Sequence, residues 1–132
     1  MPPTFTEREL DIMSVLWSRG PSTVAEVRAA LGSDVTHNTV ATMLTILEEK
    51  GHVRHVEEGR AFRYHPRVAR EDAGRGAFSR LVDTIFDGSA EAMLTHFVRE
   101  RSLSVEELER IRDILDERIE DAGARRNRRK KP

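Results

Sequence analysis

Between Thr6 and Pro66 the spacing of the apolar residues changes once, from a helical repeat to an alternation of two, and this switch limits the chain to few architectures. The helical part comes first. Thr6 with Glu9, and Thr23 with Glu26, have capping-box spacing, in which each side chain satisfies the other residue's free backbone N–H. The first helix predicted from this pattern carries Leu10, Met13, Leu16 and Trp17 on one stripe and stops at Gly20-Pro21. The second buries Val24, Val27 and Leu31 and ends at Gly32. Thr36 caps a third, in which Val40, Met43, Leu44 and Leu47 fall at i, i+3, i+4 and i+7 ahead of a stop at Gly51.

The alternating part follows at once. Residues 52–56 read as a strand, 57–60 as a turn and 61–65 as a return strand closed by Pro66. Phe62 and Tyr64 fall on one face of the return strand, Arg63 and His65 on the other. Three short helices and then a hairpin is the order of a winged helix-turn-helix, and Gly32-Ser33-Asp34 fits its short inter-helix turn.

Beyond the hairpin the helical period returns. Phe78, Leu81, Val82, Ile85 and Phe86 form one stripe, ending near Asp87-Gly88, and Met93, Leu94, Phe97 and Val98 form a second. Ser104 with Glu107 makes a third capping box, opening a helix with Leu108, Ile111, Leu115 and Ile119 on one side. Single-stripe helices of this kind cannot close a core alone, so the pattern predicts burial against a second copy of the chain. The expected class is mainly α with a small β-hairpin: a winged helix-turn-helix domain over 1–69, an α-helical dimerisation region over 70–122, and a basic disordered tail over 123–132. The residues expected at the subunit interface are Leu81, Ile85, Leu94, Phe97, Leu108, Ile111, Leu115 and Ile119.

The formal charge of −1 conceals three unlike segments. Residues 1–70 balance nine basic against nine acidic groups, 71–124 carry a net −7, and 125–132 hold six basic groups and no acid. Overall charge therefore says little about affinity for nucleic acid, and local charge decides. The absence of cysteine excludes a disulfide scaffold, a thiolate metal site and a cysteine nucleophile. No apolar window approaches a membrane span and the first four residues are unlike a signal peptide, so a cytoplasmic protein is expected.

With its apolar stripe turned inward, the third helix presents His37, Asn38, Thr39, Ala41, Thr42 and Thr45, preceded by Thr36. A recognition helix offers its N-terminal residues to base edges in the major groove. An Asn amide can pair with adenine, and Thr can bond bases or phosphates or touch a thymine methyl. Plain solvent exposure would produce the same small polar face; its place, third of three helices ahead of a hairpin, favours DNA. Arg60 sits at the predicted wing tip, flanked by Arg54, Arg63 and Arg67, as phosphate contacts or as charges that keep strand edges from pairing. A wing domain that docks a protein instead of DNA is the alternative, given the balanced charge of the first 70 residues.

The residues at 6–17, 39–51, 59–64 and 103–108 (TEREL DIMSVLW, TVATMLTILEEKG, GRAFRY and LSVEEL) together resemble the BlaI/MecI family of penicillinase repressors. The four stretches are similar to its opening helix, recognition helix, wing and last dimerisation helix. The resemblance implies a homodimeric transcriptional repressor on double-stranded operator DNA with an inverted repeat. It also implies relief by a membrane-embedded metalloprotease that cuts in the dimerisation region, where the matching bond here is His96-Phe97 rather than Asn-Phe. Asn38, Ala41 and Ile46 stand where family members often carry Arg or Lys, so the operator sequence does not transfer. Copper sensing through C-terminal cysteines, found in a related branch, is excluded by the composition.

Other chemistry finds little support. His52 and His55 are three apart, which on a strand means opposite faces, so a shared metal ion is not expected. There is no phosphate loop, no G-x-S-x-G elbow and no H-E-x-x-H helix. No cofactor, no metal, no small-molecule substrate and no catalysis are expected. Trp17 is assigned to the core, and His96 to packing or an interface.

Overall fold

The computed structural model describes residues 3–130, without the side chain of Lys130. Its elements run α1 (Glu7–Arg19), β1 (Ser22–Thr23), α2 (Val24–Leu31), α3 (His37–Glu49), β2 (Val53–Glu58), β3 (Ala61–Pro66), α4 (Arg70–Thr84), α5 (Ala90–Glu100) and α6 (Val105–Lys130). The chain forms two compact units that divide after Asp87. None of the described helices is long and apolar enough to cross a membrane.

In the first unit the caps form as the residue spacing predicts. Thr6 Oγ1 accepts from the Glu9 N–H at 3.2 Å, and Glu9 Oε1 accepts from the Thr6 N–H at 2.8 Å. Thr23 and Glu26 repeat the arrangement at the start of α2. At the other end of α1, Gly20 takes φ +94, a value that an L side chain rarely adopts, and its N–H closes the last turn on the Leu16 carbonyl. The hairpin is antiparallel in register from Val53↔Pro66 to Glu58↔Ala61. Gly59, at φ +64, supplies the left-handed residue that tight hairpin turns favour.

The core joins Ile12, Met13 and Leu16 of α1, Val27 of α2, and Val40, Leu44 and Leu47 of α3. Val35, Val53 and Tyr64 complete it. Leu10, expected inside, is instead exposed; Ile12 takes the inner position, and Leu10 lies beside Phe5, Ala73 and Gly76 of α4 at a shallow groove. Trp17 packs at the edge of the core and donates its Nε1–H to the Val68 carbonyl at 2.8 Å. A buried carboxylate accompanies these apolar residues: Glu9, 1% exposed, accepts from Lys50 Nζ at 2.7 Å, tying the first turn of α1 to the end of α3.

Two strand features differ from expectation. Ser22–Thr23 form a short strand paired with Tyr64 and Arg63, which makes β3 the central strand in the order β1-β3-β2. His52 precedes β2 instead of opening it.

In the second unit, α5 is capped by Ser89, whose Oγ accepts from the Ala92 N–H. Ser104 and Glu107 cap α6 reciprocally. No residue described in this unit is buried. The expected disordered tail is helical as far as Lys130, with Lys131 and Pro132 outside the described residues. Ala124 and the arginines are good helix formers, no proline interrupts them before 132, and positive side chains suit the negative end of a helix.

Candidate nucleic-acid interface

The end of α3 that would meet a ligand is built from its cap outward. Thr36 Oγ1 accepts from the Thr39 N–H at 3.1 Å and lies 2.9 Å from Thr39 Oγ1, so both hydroxyls are committed to the helix start. Thr45 Oγ1 donates to the Ala41 carbonyl at 3.0 Å, a bond internal to the helix. His37, Asn38 and Thr42 are exposed, and their side chains make no hydrogen bond with another described residue. The Asn38 amide therefore keeps its two donors and its acceptor for an outside partner. Val40, Leu44 and Leu47 are fully buried opposite this face, which fixes the rotation of the helix.

The wing comes close to the same helix. Arg60 follows Gly59 at the hairpin turn, exposed and without an ion pair among the described residues. His37, Ala41 and Thr45 share one open groove with Arg60, bounded by Val24 at the start of α2 and by Phe62 and Tyr64 of β3. Thr36, Asn38, Thr39 and Thr42 do not line this groove. The start of α2 and Phe62 are contributors that helix and strand periodicity alone did not single out. Phe62 and Tyr64 share a face as predicted, but only Tyr64 reaches the core. The Phe62 ring, 43% exposed, stacks on His55 at 4.2 Å and 28°.

His55 is held from behind. Its Nδ1 lies 2.6 Å from Glu48 Oε2, and its backbone N–H donates to the same carboxylate at 2.9 Å. This bond joins the last turn of α3 to β2. Burial, with the Glu48 charge adding to it, raises the pKa of the nearby Tyr64 hydroxyl. His52 lies instead against the Phe5 ring at 4.6 Å, so the two histidines serve separate contacts. Arg54 and Arg67 are exposed, whereas Arg63 is bound within the protein, to Glu26 and Glu58.

The residues expected to pair subunits remain largely uncovered within the chain. Leu81 and Ile85 are exposed beside the end of α4, as are Phe97 of α5 and Leu108, Leu115 and Ile119 of α6, while Leu94 and Ile111 are half-buried. His96 and Phe97 sit in mid-helix on α5.

A family profile described as "Penicillinase repressor" matches residues 5–117. The penicillinase repressor of Bacillus licheniformis is 30% identical over 117 residues, spanning 87% of this chain and 91% of that protein. The transcriptional regulator BlaI of Mycobacterium tuberculosis is 34% identical over 113 residues, spanning 83% of this chain and 80% of its own length. Among solved structures, the DNA-binding domain of the repressor BlaI is 34% identical with a TM-score of 0.49, covering 55% of this chain and 90% of that one. The monomeric form of Bacillus licheniformis BlaI in complex with the blaP half-operator is 34% identical with a TM-score of 0.47, at the same coverage.

Proposed function

The chain belongs to the penicillinase repressor (BlaI/MecI) family, and from that membership we propose that it is a DNA-binding transcriptional repressor acting as a homodimer on an inverted-repeat operator. In this reading α3 enters the major groove with Asn38 and Thr42 at base edges, and Arg60 takes a phosphate from the wing. His37, Thr39, Ala41 and Thr45 border the same surface, and the N–H groups of His37 and Asn38 at the helix start suit a further phosphate. The observation that carries it is the pairing of an exposed Asn38 on a helix locked by its buried face with an unpaired Arg60 at the neighbouring hairpin turn. The single apolar stripes of α5 and α6, with Leu81 and Ile85, support pairing of two copies, and two-fold symmetry then sets half-sites a whole number of helical turns apart.

Relief by a membrane-embedded metalloprotease at His96-Phe97 belongs to the same reading. A bond inside a helix must be unwound to enter a protease, so cutting there requires α5 to open locally. No residue of this 11-residue helix is buried within its own chain, so the subunit pairing is what opposes that opening.

The test is affinity selection of sheared genomic DNA on the purified protein, followed by sequencing. A few fragments sharing an inverted repeat are expected. Recovery of no sequence above background by a folded protein refutes the repressor and favours a protein-docking wing domain.

A further inference from the structure

One carboxylate joins three parts of the first unit. Glu26 Oε1 accepts from the Thr23 N–H at 2.9 Å, completing the cap of α2, and from Arg63 Nη1 at 3.0 Å. Glu26 Oε2 accepts from Arg19 Nη2, in the last turn of α1, at 3.3 Å. Arg63 reaches further. Its Nη1 also donates to the Pro21 carbonyl at 2.9 Å, its Nε to Glu58 Oε2 at 2.8 Å, and its Nη2 pairs with the same oxygen at 2.7 Å. Three of the five N–H donors of the guanidinium are thereby hydrogen-bonded, and the ion pair of Nη2 with Glu58 adds a fourth contact. A phosphate would have to displace them, whereas Arg60 has none to lose.

The connections also have a direction. Glu58 ends β2 and Arg63 lies in the middle of β3, so both strands of the wing are fastened to the start of α2. On the other side Glu48 fastens β2 to the end of α3. The hairpin is thus held at two flanks, and the turn that carries Arg60 projects beyond both. Thr23, with Arg63 and Arg19, keeps the Glu26 carboxyl below its ordinary range, so the tie stays ionised at neutral pH.

We propose that Arg63 is a positioning residue for DNA binding: through Glu26 and Glu58 it sets the distance of the Arg60 turn from the exposed face of α3. The proposal rests on the repressor reading above and assigns Arg63 a role different from that of a phosphate contact.

Glu26→Gln separates the two roles of that carboxylate, because glutamine at the third helical position still completes a capping box while the ion pair is lost. The measurements are hydrogen exchange of the backbone amides and affinity for a duplex recovered by the genomic selection, titrated with salt. Glu26→Gln and Arg63→Met are expected to speed exchange in β3 about tenfold, with the core amides of α1 and α3 unchanged. Both are expected to weaken duplex binding about tenfold, although Glu26→Gln removes a negative charge and by charge alone would tighten it. Arg60→Ala should lower the salt slope by about 1.8 for the dimer, about 0.9 per copy, and adding Arg63→Met to it should change neither slope nor affinity much further. Arg63→Lys should not rescue, since one ammonium cannot span both carboxylates as a fork does.

Unchanged β3 exchange in both variants overturns the proposal, as does duplex binding by Glu26→Gln at or above the unaltered affinity. A further drop of about 1.8 in slope, about 0.9 per copy, when Arg63→Met joins Arg60→Ala makes Arg63 a phosphate contact, and also overturns it. Failure of the unaltered protein to bind any duplex removes the repressor reading itself, and the positioning role with it; the outcomes above arise with DNA binding intact.

Discussion

Replacing Lys50 by methionine isolates the buried carboxylate of Glu9. The ammonium lies 2.7 Å from Glu9 Oε2; the Lys50 side chain is 45% exposed and the Glu9 side chain 2%. Burial pushes the Glu9 pKa up, but the Lys50 hydrogen bond, the Thr6 N–H and hydroxyl and the Lys50 charge outweigh it, leaving the group below its ordinary value near 4.5. In Lys50→Met the carboxylate must stay charged without its partner or take up a proton. Breaking a buried pair costs about 3–5 kcal/mol, and protonating an ordinary glutamate at pH 7 costs about 1.36 kcal/mol per unit of difference, hence about 3–4 kcal/mol. Water entering where the lysine stem was shorter or displaced lowers both, so a loss of about 2–3 kcal/mol is expected at pH 7. At pH 5 the protonation route costs only about 1 kcal/mol, and the penalty should shrink accordingly. Glu9→Gln should be milder, about 1 kcal/mol, because the ammonium, on a half-exposed side chain, returns to water and the glutamine still caps α1. Urea unfolding followed through Trp17, the single tryptophan, measures all three across pH 5–7.5. A penalty for Lys50→Met that is independent of pH, or equal to that of Glu9→Gln, would refute the reasoning. In the unaltered protein the sign is that of a lowered carboxyl: the stabilisation is present at neutral pH and disappears as pH falls below 4.5 through the folded-state value.

Three further outcomes are expected. Asn38→Ala should cost about 1–3 kcal/mol on the selected operator and little on a random duplex; equal losses on both would remove Asn38 from base readout. Leu108→Asp with Leu115→Asp should halve the sedimenting mass while circular dichroism keeps its helical shape, and an unchanged mass would take both residues out of the subunit interface. Trp17→Phe deletes the donor to the Val68 carbonyl and should lower unfolding stability by about 1–2 kcal/mol, read by denaturant titration with circular dichroism.

The helix starts were legible because their chemistry is local. Thr6, Thr23, Thr36 and Ser104 each bond a backbone N–H three residues on, a signal carried within four positions of sequence. Val40, Leu44 and Leu47 were legible for a similar reason, since one helical period separates the two faces of α3. The first stripe was ambiguous: Leu10 and Ile12 are both apolar, and only the position of α4 and Phe5 decides which faces the core. Ser22–Thr23 is too short to declare itself a strand, and becomes one only because β3 is within pairing distance. Arg63 was the least legible, with one partner 37 residues away and nothing in its own strand to mark it off from Arg54 or Arg67. The helical continuation of α6 beyond Ala124 is hard to read because its dense positive charge suggests disorder while its residues are good helix formers.

Two of the three capping glutamates serve twice. Glu9 starts α1 and anchors Lys50 at a separation of 41 residues, and Glu26 starts α2 and anchors Arg63 at 37, each within a single carboxylate. The atoms that announce a helix to its own neighbours thus also report that distant segments have arrived, so local and global order agree at the same place. A change to glutamine at either position is silent to the helix and audible only to the tertiary fold, whereas at Glu107 the side-chain bonds among the described residues all return to Ser104. Tolerance to substitution at these three positions will therefore diverge, although each closes a capping box of the same spacing.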